Sequence, residues 1–198
     1  RDTDRSRGLG DVYKRQVVAC IPGAAVTILF DDYIEAHLHT PVVIAIALIF
    51  YGVAFILIEN WNKTREPKIK TLADISYQTA FMIGLFQVLS IIPGTSRSGA
   101  TIIGGLIIGV SRVAVAEFTF YLAVPVMLGM SLLKLLKFGF AFTGAEFVIL
   151  GVGTVVAFLV SIVVIRFLMS YIRKHDFKVF GWYRIVLGAL VLVYFAFR

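Results

Sequence analysis

The sequence predicts an all-α, polytopic membrane helix bundle, and three observations support that prediction. Of the 198 residues, 59% are hydrophobic and only 16% are charged, whereas soluble domains are nearer half apolar and a quarter charged. The mean hydropathy is +0.90. Several apolar runs approach or exceed the roughly 20 residues that a helix needs to cross a bilayer. An ordinary soluble enzyme and a disordered chain are therefore excluded.

The apolar runs define the elements in chain order. Residues 1–16 are polar and strongly charged, and we interpret them as a foreign or artefactual leader. The predicted membrane spans cover residues 17–30, 41–58, 113–133, 147–169 and 182–197. The first of these spans is shorter than a bilayer crossing requires, so we expect its N-terminal part to be missing.

Residues 76–110 are predicted to form a re-entrant helix-loop-helix. Two apolar pieces, 77–92 and 100–110, flank a polar break. The second piece is too short to cross a hydrocarbon core of about 30 Å at about 1.5 Å per residue. The positive-inside rule favours a cytoplasmic position for the basic loops at 60–75 and 170–181. Both loops lie in the cytoplasm only if residues 76–110 cross the membrane an even number of times.

The polar break, with the sequence PGTSRSG at residues 93–99, is the candidate site. Irregular backbone at membrane depth is tolerated only where protein or a water-filled cavity satisfies its polar groups. Pro93 ends the incoming helix, and Ser98 is the predicted N-cap of the outgoing helix. Arg97 is costly in apolar surroundings, and its guanidinium suits bidentate phosphate binding beside a positive helix N-terminus.

The motif PGTSRSGAT, preceded by SYQTAFMIGLFQ and followed by GVSR, AEFTF and LAVP, resembles the undecaprenyl-diphosphate phosphatases, or bacitracin-resistance proteins. The resemblance extends from about Val17 to the C-terminus. It implies an enzyme of the bacterial inner membrane that hydrolyses undecaprenyl diphosphate to undecaprenyl phosphate and phosphate. That reaction recycles the lipid carrier of peptidoglycan synthesis and confers bacitracin resistance.

The resemblance also implies two inverted repeats, each with a re-entrant helix pair. This chain is then expected to be a C-terminal fragment that contains the second repeat, with the first repeat largely missing. In the family, the first repeat has two glutamates spaced four residues apart and a Ser-Ser-x-Gly-His stretch, and this sequence has neither. We therefore expect the chain alone to be inactive.

The resemblance assigns Arg97, Ser96, Thr101 and Asp74 by position, and the residue types of the polar break and of the predicted span supply the other site residues. Arg97 and Ser96 are expected to be catalytic, with Arg97 holding the diphosphate. The expected substrate-binding residues are Gly94, Thr95, Ser98, Gly99 and Thr101, and the expected supporting residues are Asp74, Gln87 and Glu117. Asp74 is alternatively a helix cap at the interface. Glu117 lies within a predicted span, where its alternative role is a structural ion pair with Arg97 or Arg112.

The resemblance further implies a divalent cation, Mg²⁺ or Ca²⁺, whose ligands we do not expect in this chain. His37 and His39 are interpreted as solvated loop residues rather than metal ligands, because a two-residue spacing in a loop is a weak metal signal. The expected partners are undecaprenyl diphosphate and membrane lipids, without nucleic acid, and a homodimer is left open.

Two other functions compete with this interpretation. A polyprenyl-phosphate or anion transporter suits a broken helix near mid-membrane equally well, and it predicts binding of the lipid phosphate without hydrolysis. A phosphatase of the phosphatidic-acid type needs a histidine shortly after a Ser-Arg pair, and none follows Ser96-Arg97 or Ser111-Arg112. The transporter is therefore the alternative that stays open.

Overall fold

A computed structural model of the protein describes residues 2–139 and 143–197. The described residues form the helices α1 Asp2–Leu38, α2 Pro41–Asn62, α3 Tyr77–Val88, α4 Arg97–Ile108, α5 Arg112–Phe138, α6 Gly144–Lys174 and α7 Lys178–Ala196. Two 3-10 helices, Leu72–Asp74 and Leu89–Ile91, precede and follow α3. A single parallel bridge between Ile69 and Val110 is the extent of β-pairing in these ranges.

Five of the described helices are long and apolar enough to cross a membrane. The corresponding segments are Gly10–Phe30, Pro41–Asn62, Arg112–Lys137, Gly144–Lys174 and Lys178–Ala196. Helices α3 and α4 are shorter, with 12 residues each. The predicted all-α polytopic membrane bundle is confirmed, while re-entry of the α3–α4 pair into the bilayer stays a prediction.

Helix α1 continues without a break through the polar residues that precede the first predicted span. Val12 and Gln16 are buried, and the guanidinium of Arg15 donates from Nη1 to the carbonyl oxygen of Ala73 at 2.8 Å. This part of α1 therefore packs against the rest of the bundle. The foreign origin of residues 1–16 stays a prediction.

The core of the protein surrounds α4, which contacts α2, α3 and α5. Eight of its 12 residues are buried. A Cβ atom added at Gly104 would overlap the ring of Phe86 on α3, and one added at Gly105 would overlap Val115 on α5. The two glycines thus make room on α4 for side chains of both neighbouring helices, as small residues commonly do in membrane bundles.

The close approach of α2 and α7 fixes the position of the last helix beside the core. A Cβ atom at Gly52 would lie 2.7 Å from the carbonyl oxygen of Gly181, and one at Gly188 would lie 2.8 Å from that of Ala45. These glycines allow α2 and α7 to pack backbone against backbone. As a result Arg184, on α7, reaches the polar break that precedes α4.

Candidate functional site

The break between α3 and α4 is a tight turn that requires glycine at one position. Gly94 has a φ of +89°, a left-handed conformation that residues with a Cβ adopt only at a cost. The next residue, Thr95, donates its backbone N–H to the carbonyl oxygen of Ile92 at 3.0 Å. The turn reverses the chain direction and delivers the first residues of α4 into the middle of the bundle.

Ser96 is the N-cap of α4. Its backbone is extended, and its Oγ accepts the N–H of Gly99 at 3.2 Å, which satisfies one of the free amides of the first turn. The prediction that Ser98 is the N-cap is wrong, because the helix begins before Ser98 and this residue lies in its first turn. The two hydroxyls nevertheless meet, with 2.9 Å between the Oγ atoms of Ser96 and Ser98.

Arg97 is the first residue of α4 and is half-buried. Its Nη1 donates to the carbonyl oxygen of Leu122 on α5 at 3.5 Å. None of the ion pairs between described residues includes Arg97. Because a guanidinium has five N–H donors, most of those of Arg97 remain for a ligand, beside the positive end of the α4 dipole.

Arg184 is a second arginine at the break, and the sequence analysis missed it. Only 8% of the residue is exposed, and its Nη2 donates to the carbonyl oxygen of Gly94 at 2.6 Å. Its Nε is buried without a hydrogen-bond partner among the described residues. The signal was present in the sequence, since an ionisable residue inside an apolar span indicates a functional site by default.

A cavity of about 240 Å³ adjoins the start of α4. Its polar lining comes from Ser96, Ser98, Thr119 and Arg184, and its other walls are mainly aromatic and aliphatic. Arg97 is not among the residues that line it. The two arginines therefore flank the polar break in different surroundings, one against α5 and the other in the cavity.

Thr101 lies inside the interface between α4 and α5 and is fully buried. Its hydroxyl lies 3.0 Å from the carbonyl oxygen of Ser98 and 3.1 Å from the hydroxyl of Thr119 on α5. Thr95 is also buried, and its Oγ1 has no hydrogen-bond partner in the described part of the chain. Thr101 therefore forms a contact between α4 and α5. Its role in substrate binding stays a prediction.

The described contacts of the three predicted supporting residues lie outside residues 93–99. Asp74 accepts hydrogen bonds from the backbone N–H and the hydroxyl of Thr71, as the alternative of a helix cap requires. Gln87 is buried on α3. A Cβ atom at Gly23 of α1 would lie 3.0 Å from the Nε2 of Gln87. The hydrogen bonds and ion pairs of the described residues do not join either residue to the loop.

The predicted partner of Glu117 is wrong. Glu117 lies 4.0 Å from the Nη2 of Arg173 on α6 rather than beside Arg97 or Arg112. Arg112 instead binds Glu59, with its Nε 2.9 Å from Oε2. Partners of this kind depend on how helices pack, and a single sequence does not specify that packing.

Glu59 is the most deeply buried acidic residue among those whose burial is described, with no exposed surface. Besides Arg112 on α5, it accepts the backbone N–H of Phe177 at 3.3 Å. The carboxylate therefore links α2, α5 and the connection between α6 and α7. Its hydrogen bonds and its charge partner compensate the desolvation that burial imposes on an ionised group.

The described residues do not fit the divalent cation that the resemblance implies. Across residues 2–139 and 143–197, no group of three or more His, Cys, Asp or Glu is placed to hold a metal. His37 and His39 are exposed, and His175 stacks on Tyr171 with 4.4 Å between the ring centroids. The site therefore consists of arginines, hydroxyls and helix amides, which together suit an anion.

These features define a class: an integral membrane protein of α-helices in which two short helices meet at an arginine- and hydroxyl-lined loop suited to bind an anion. Comparison with known proteins identifies the family within that class. The sequence profile described as bacitracin resistance protein BacA matches residues 5–190. The chain belongs to this family.

Relatives in three bacteria have the name undecaprenyl-diphosphatase. The protein of Enterococcus faecalis is 74% identical over 89% of this chain and 64% of its own length. That of Lachnoclostridium phytofermentans is 64% identical over 90% of this chain and 65% of its own length. The Desulfitobacterium hafniense protein is 56% identical over 95% of the chain and 68% of its own length. The chain thus spans about two thirds of the length of these relatives.

Proposed function

We propose that this chain is part of an enzyme of the bacterial inner membrane that hydrolyses undecaprenyl diphosphate to undecaprenyl phosphate and phosphate. The observation that supports it best is Arg97 at the N-terminus of α4, half-buried and without a counter-ion among the described residues. A diphosphate supplies the missing negative charge. The names of the relatives support the choice of substrate.

The reaction breaks one bond of the diphosphate. An oxygen nucleophile, from water or from Ser96, attacks the terminal phosphorus, and the bond from that phosphorus to the bridging oxygen breaks. Undecaprenyl phosphate leaves with the bonding electron pair; if Ser96 is the nucleophile, water releases the phosphate from it in a second step. Arg97 and the first amides of α4 stabilise the charge that develops on the phosphate oxygens, which is the principal role of donors that are already in place.

The chain on its own is proposed to release no phosphate. Activation of the attacking oxygen needs a base within hydrogen-bond reach. The described partner of Arg97 is a backbone carbonyl, and no described hydrogen bond or ion pair brings a carboxylate or histidine to the loop. No step of the mechanism passes through a metal here, although we expect the complete enzyme to need Mg²⁺ or Ca²⁺ and to lose activity with a chelator.

Phosphate release from undecaprenyl diphosphate tests the proposal. The chain is compared with a protein completed by the additional sequence of the Enterococcus faecalis relative, each also as Arg97→Ala. We expect activity only in the completed protein and a loss of about 10²–10³-fold in kcat on Arg97→Ala, the cost of removing one preorganised donor. Arg65→Ala, an exposed arginine outside the predicted spans, is the matched control and should retain activity.

The outcomes separate the candidate functions. Phosphate release by the chain alone would refute its inactivity, and full activity of the Arg97→Ala variant would refute the role of the arginine. A completed protein that binds undecaprenyl phosphate and releases no phosphate would favour a polyprenyl-phosphate transporter. Bacitracin resistance follows from the same proposal, and expression of the completed protein in a sensitive strain should raise the tolerated concentration.

A further inference from the structure

We infer that Arg184 binds the phosphate that stays on the lipid, and that the cavity beside α4 holds the first part of the isoprenoid chain attached to it. This inference rests on the proposed function and adds a residue and a pocket to it. On this inference, Arg97 and Arg184 bind different parts of the same diphosphate lipid.

Arg184 is a buried cation that lacks an anionic partner. It is 8% exposed, and the ion pairs of the described residues do not include it. One hydrogen bond, from Nη2 to the carbonyl oxygen of Gly94 at 2.6 Å, leaves its buried Nε unsatisfied. A buried and unpaired charge is strongly destabilising, so an anion that reaches Nε would complete the site.

The polar end of the cavity supplies further donors for that anion. The hydroxyls of Ser96 and Ser98, 2.9 Å apart, line the same cavity as Arg184. The Nη1 of Arg184 lies 3.1 Å from the position that a Cβ atom would occupy at Gly99. The guanidinium therefore lies directly against the first turn of α4, where helix amides favour negative charge.

The remaining walls of the cavity select a lipid rather than a free anion. Phe55, Phe120 and Phe180 line it, and Tyr183, which is 66% exposed, lies at its rim. Its volume of about 240 Å³ is below the roughly 300–1,000 Å³ of pockets for drug-sized ligands. The cavity therefore suits a phosphate group and a short length of apolar chain, with the rest of the chain in the bilayer.

Binding of farnesyl phosphate by the detergent-purified chain tests the inference, with orthophosphate and farnesol as comparison ligands. Calorimetric titration should show the tightest binding for farnesyl phosphate, because only this ligand has both the charge and the apolar chain. Arg184→Gln should weaken that binding by about tenfold or more, the loss of a charged hydrogen bond. Arg184→Lys retains the charge and should bind more tightly than Arg184→Gln.

The Gln variant also distinguishes binding from a structural role. Glutamine is too short to replace the Nη2 of Arg184 at the carbonyl oxygen of Gly94, so a residue that only supports the loop would, as Arg184→Gln, weaken the binding of farnesol and of farnesyl phosphate by the same factor. Such a result would overturn the inference, as would equal binding of farnesol and farnesyl phosphate. Arg65→Gln is the matched control, because Arg65 is exposed and outside the predicted spans, and it should bind as the unmodified chain does.

A second variant covers the case in which Arg184→Gln fails to fold. Ala116→Val narrows the cavity from α5 without a change in charge, so it should weaken farnesyl phosphate more than orthophosphate. Equal effects on both ligands would count against the pocket. If the completed protein hydrolyses its substrate while the chain does not bind farnesyl phosphate, only this inference fails. If the chain binds farnesyl phosphate and the completed protein is inactive, only the proposed hydrolysis fails.

Discussion

Helices α4 and α6 both pack against α5, and both are apolar, yet their surroundings differ. Eight of the 12 residues of α4 are buried within the protein, whereas Ile172 is the buried residue of the 31 in α6. The apolar side chains of α6 therefore have few packing partners among the described residues, whereas those of α4 are packed within the protein. Apolar character alone does not tell which helix is held by packing, so equivalent substitutions in the two regions should differ in cost.

The largest difference in unfolding free energy should come from two arginines that pair with acidic residues, Arg112 on α5 and Arg173 on α6. Arg112→Ala leaves Glu59 buried and without its charge partner, which is expected to cost about 3–5 kcal/mol of unfolding free energy. Arg173→Ala removes a pair whose atoms are 4.0 Å apart and whose arginine side chain is 65% exposed, so its cost should be below about 1 kcal/mol. Titration of the purified chain with SDS measures both values.

The double variant Glu59→Gln with Arg112→Ala provides the control for that comparison. It removes both charges, so it should be more stable than Arg112→Ala alone, because no ionised carboxylate is then left buried. Equal costs for Arg112→Ala and Arg173→Ala would show that the link between α2, α5 and the start of α7 adds nothing to stability.

The next largest difference in stability should come from glycines in α4 and α6. Gly105→Val would place side-chain atoms against Val115, and overpacking of this kind typically costs about 1–3 kcal/mol. A Cβ atom at Gly153 on α6 would have no neighbour within 4 Å, so Gly153→Val should leave stability unchanged or slightly raised, since glycine is a poor helix former. Thermal melting followed by circular dichroism, in the same detergent, compares the two.

A tolerated valine at position 105 would contradict the close packing of α4 against α5. In that case the burial of α4 would depend on contacts that adjust easily, and the comparison with α6 would lose its physical basis. Gly104→Val adds a second check, because it meets Phe86 on α3 instead of α5. We expect it to destabilise the protein by a similar amount.

Apolar run length and the Pro93-Gly94 break were sufficient to predict an all-α membrane bundle with two short helices around a polar loop. These features follow from local sequence, because hydropathy determines where a long helix is stable in a bilayer and proline ends a helix. The choice of N-cap was wrong, since Ser96 and Ser98 have the same capping chemistry and only the backbone conformation distinguishes them.

Contacts between helices could not be predicted from the sequence. The pairing of Glu59 with Arg112, and of Glu117 with Arg173, depends on which helix faces meet. Arg184 is different, because the rule that singled out Arg97 applies equally to an arginine within the last span. Its contact with Gly94 depends on the close packing of α2 and α7, which brings residues 90 positions apart together.

The smallest difference in stability should come from two threonines, Thr101 on α4 and Thr154 on α6. Thr101→Val removes the hydroxyl that contacts Thr119 at 3.1 Å between α4 and α5, and hydrogen bonds between helices in membranes contribute about 0.6 kcal/mol on average, up to about 1.7. Thr154 on α6 donates to the carbonyl oxygen of Leu150 in its own helix and faces outward. That carbonyl retains its helical partner, so Thr154→Val should cost close to nothing.

The double variant Thr101→Val with Thr119→Val decides whether the measured cost belongs to the hydrogen bond. If the hydroxyls stabilise each other, the two single substitutions together should cost more than the double variant, by the coupling energy of the pair. Strict additivity would mean that the 3.1 Å contact contributes nothing. The α4–α5 interface would then be held by apolar packing, by the close approach at Gly105 and by the hydrogen bond from Arg97 to the carbonyl oxygen of Leu122.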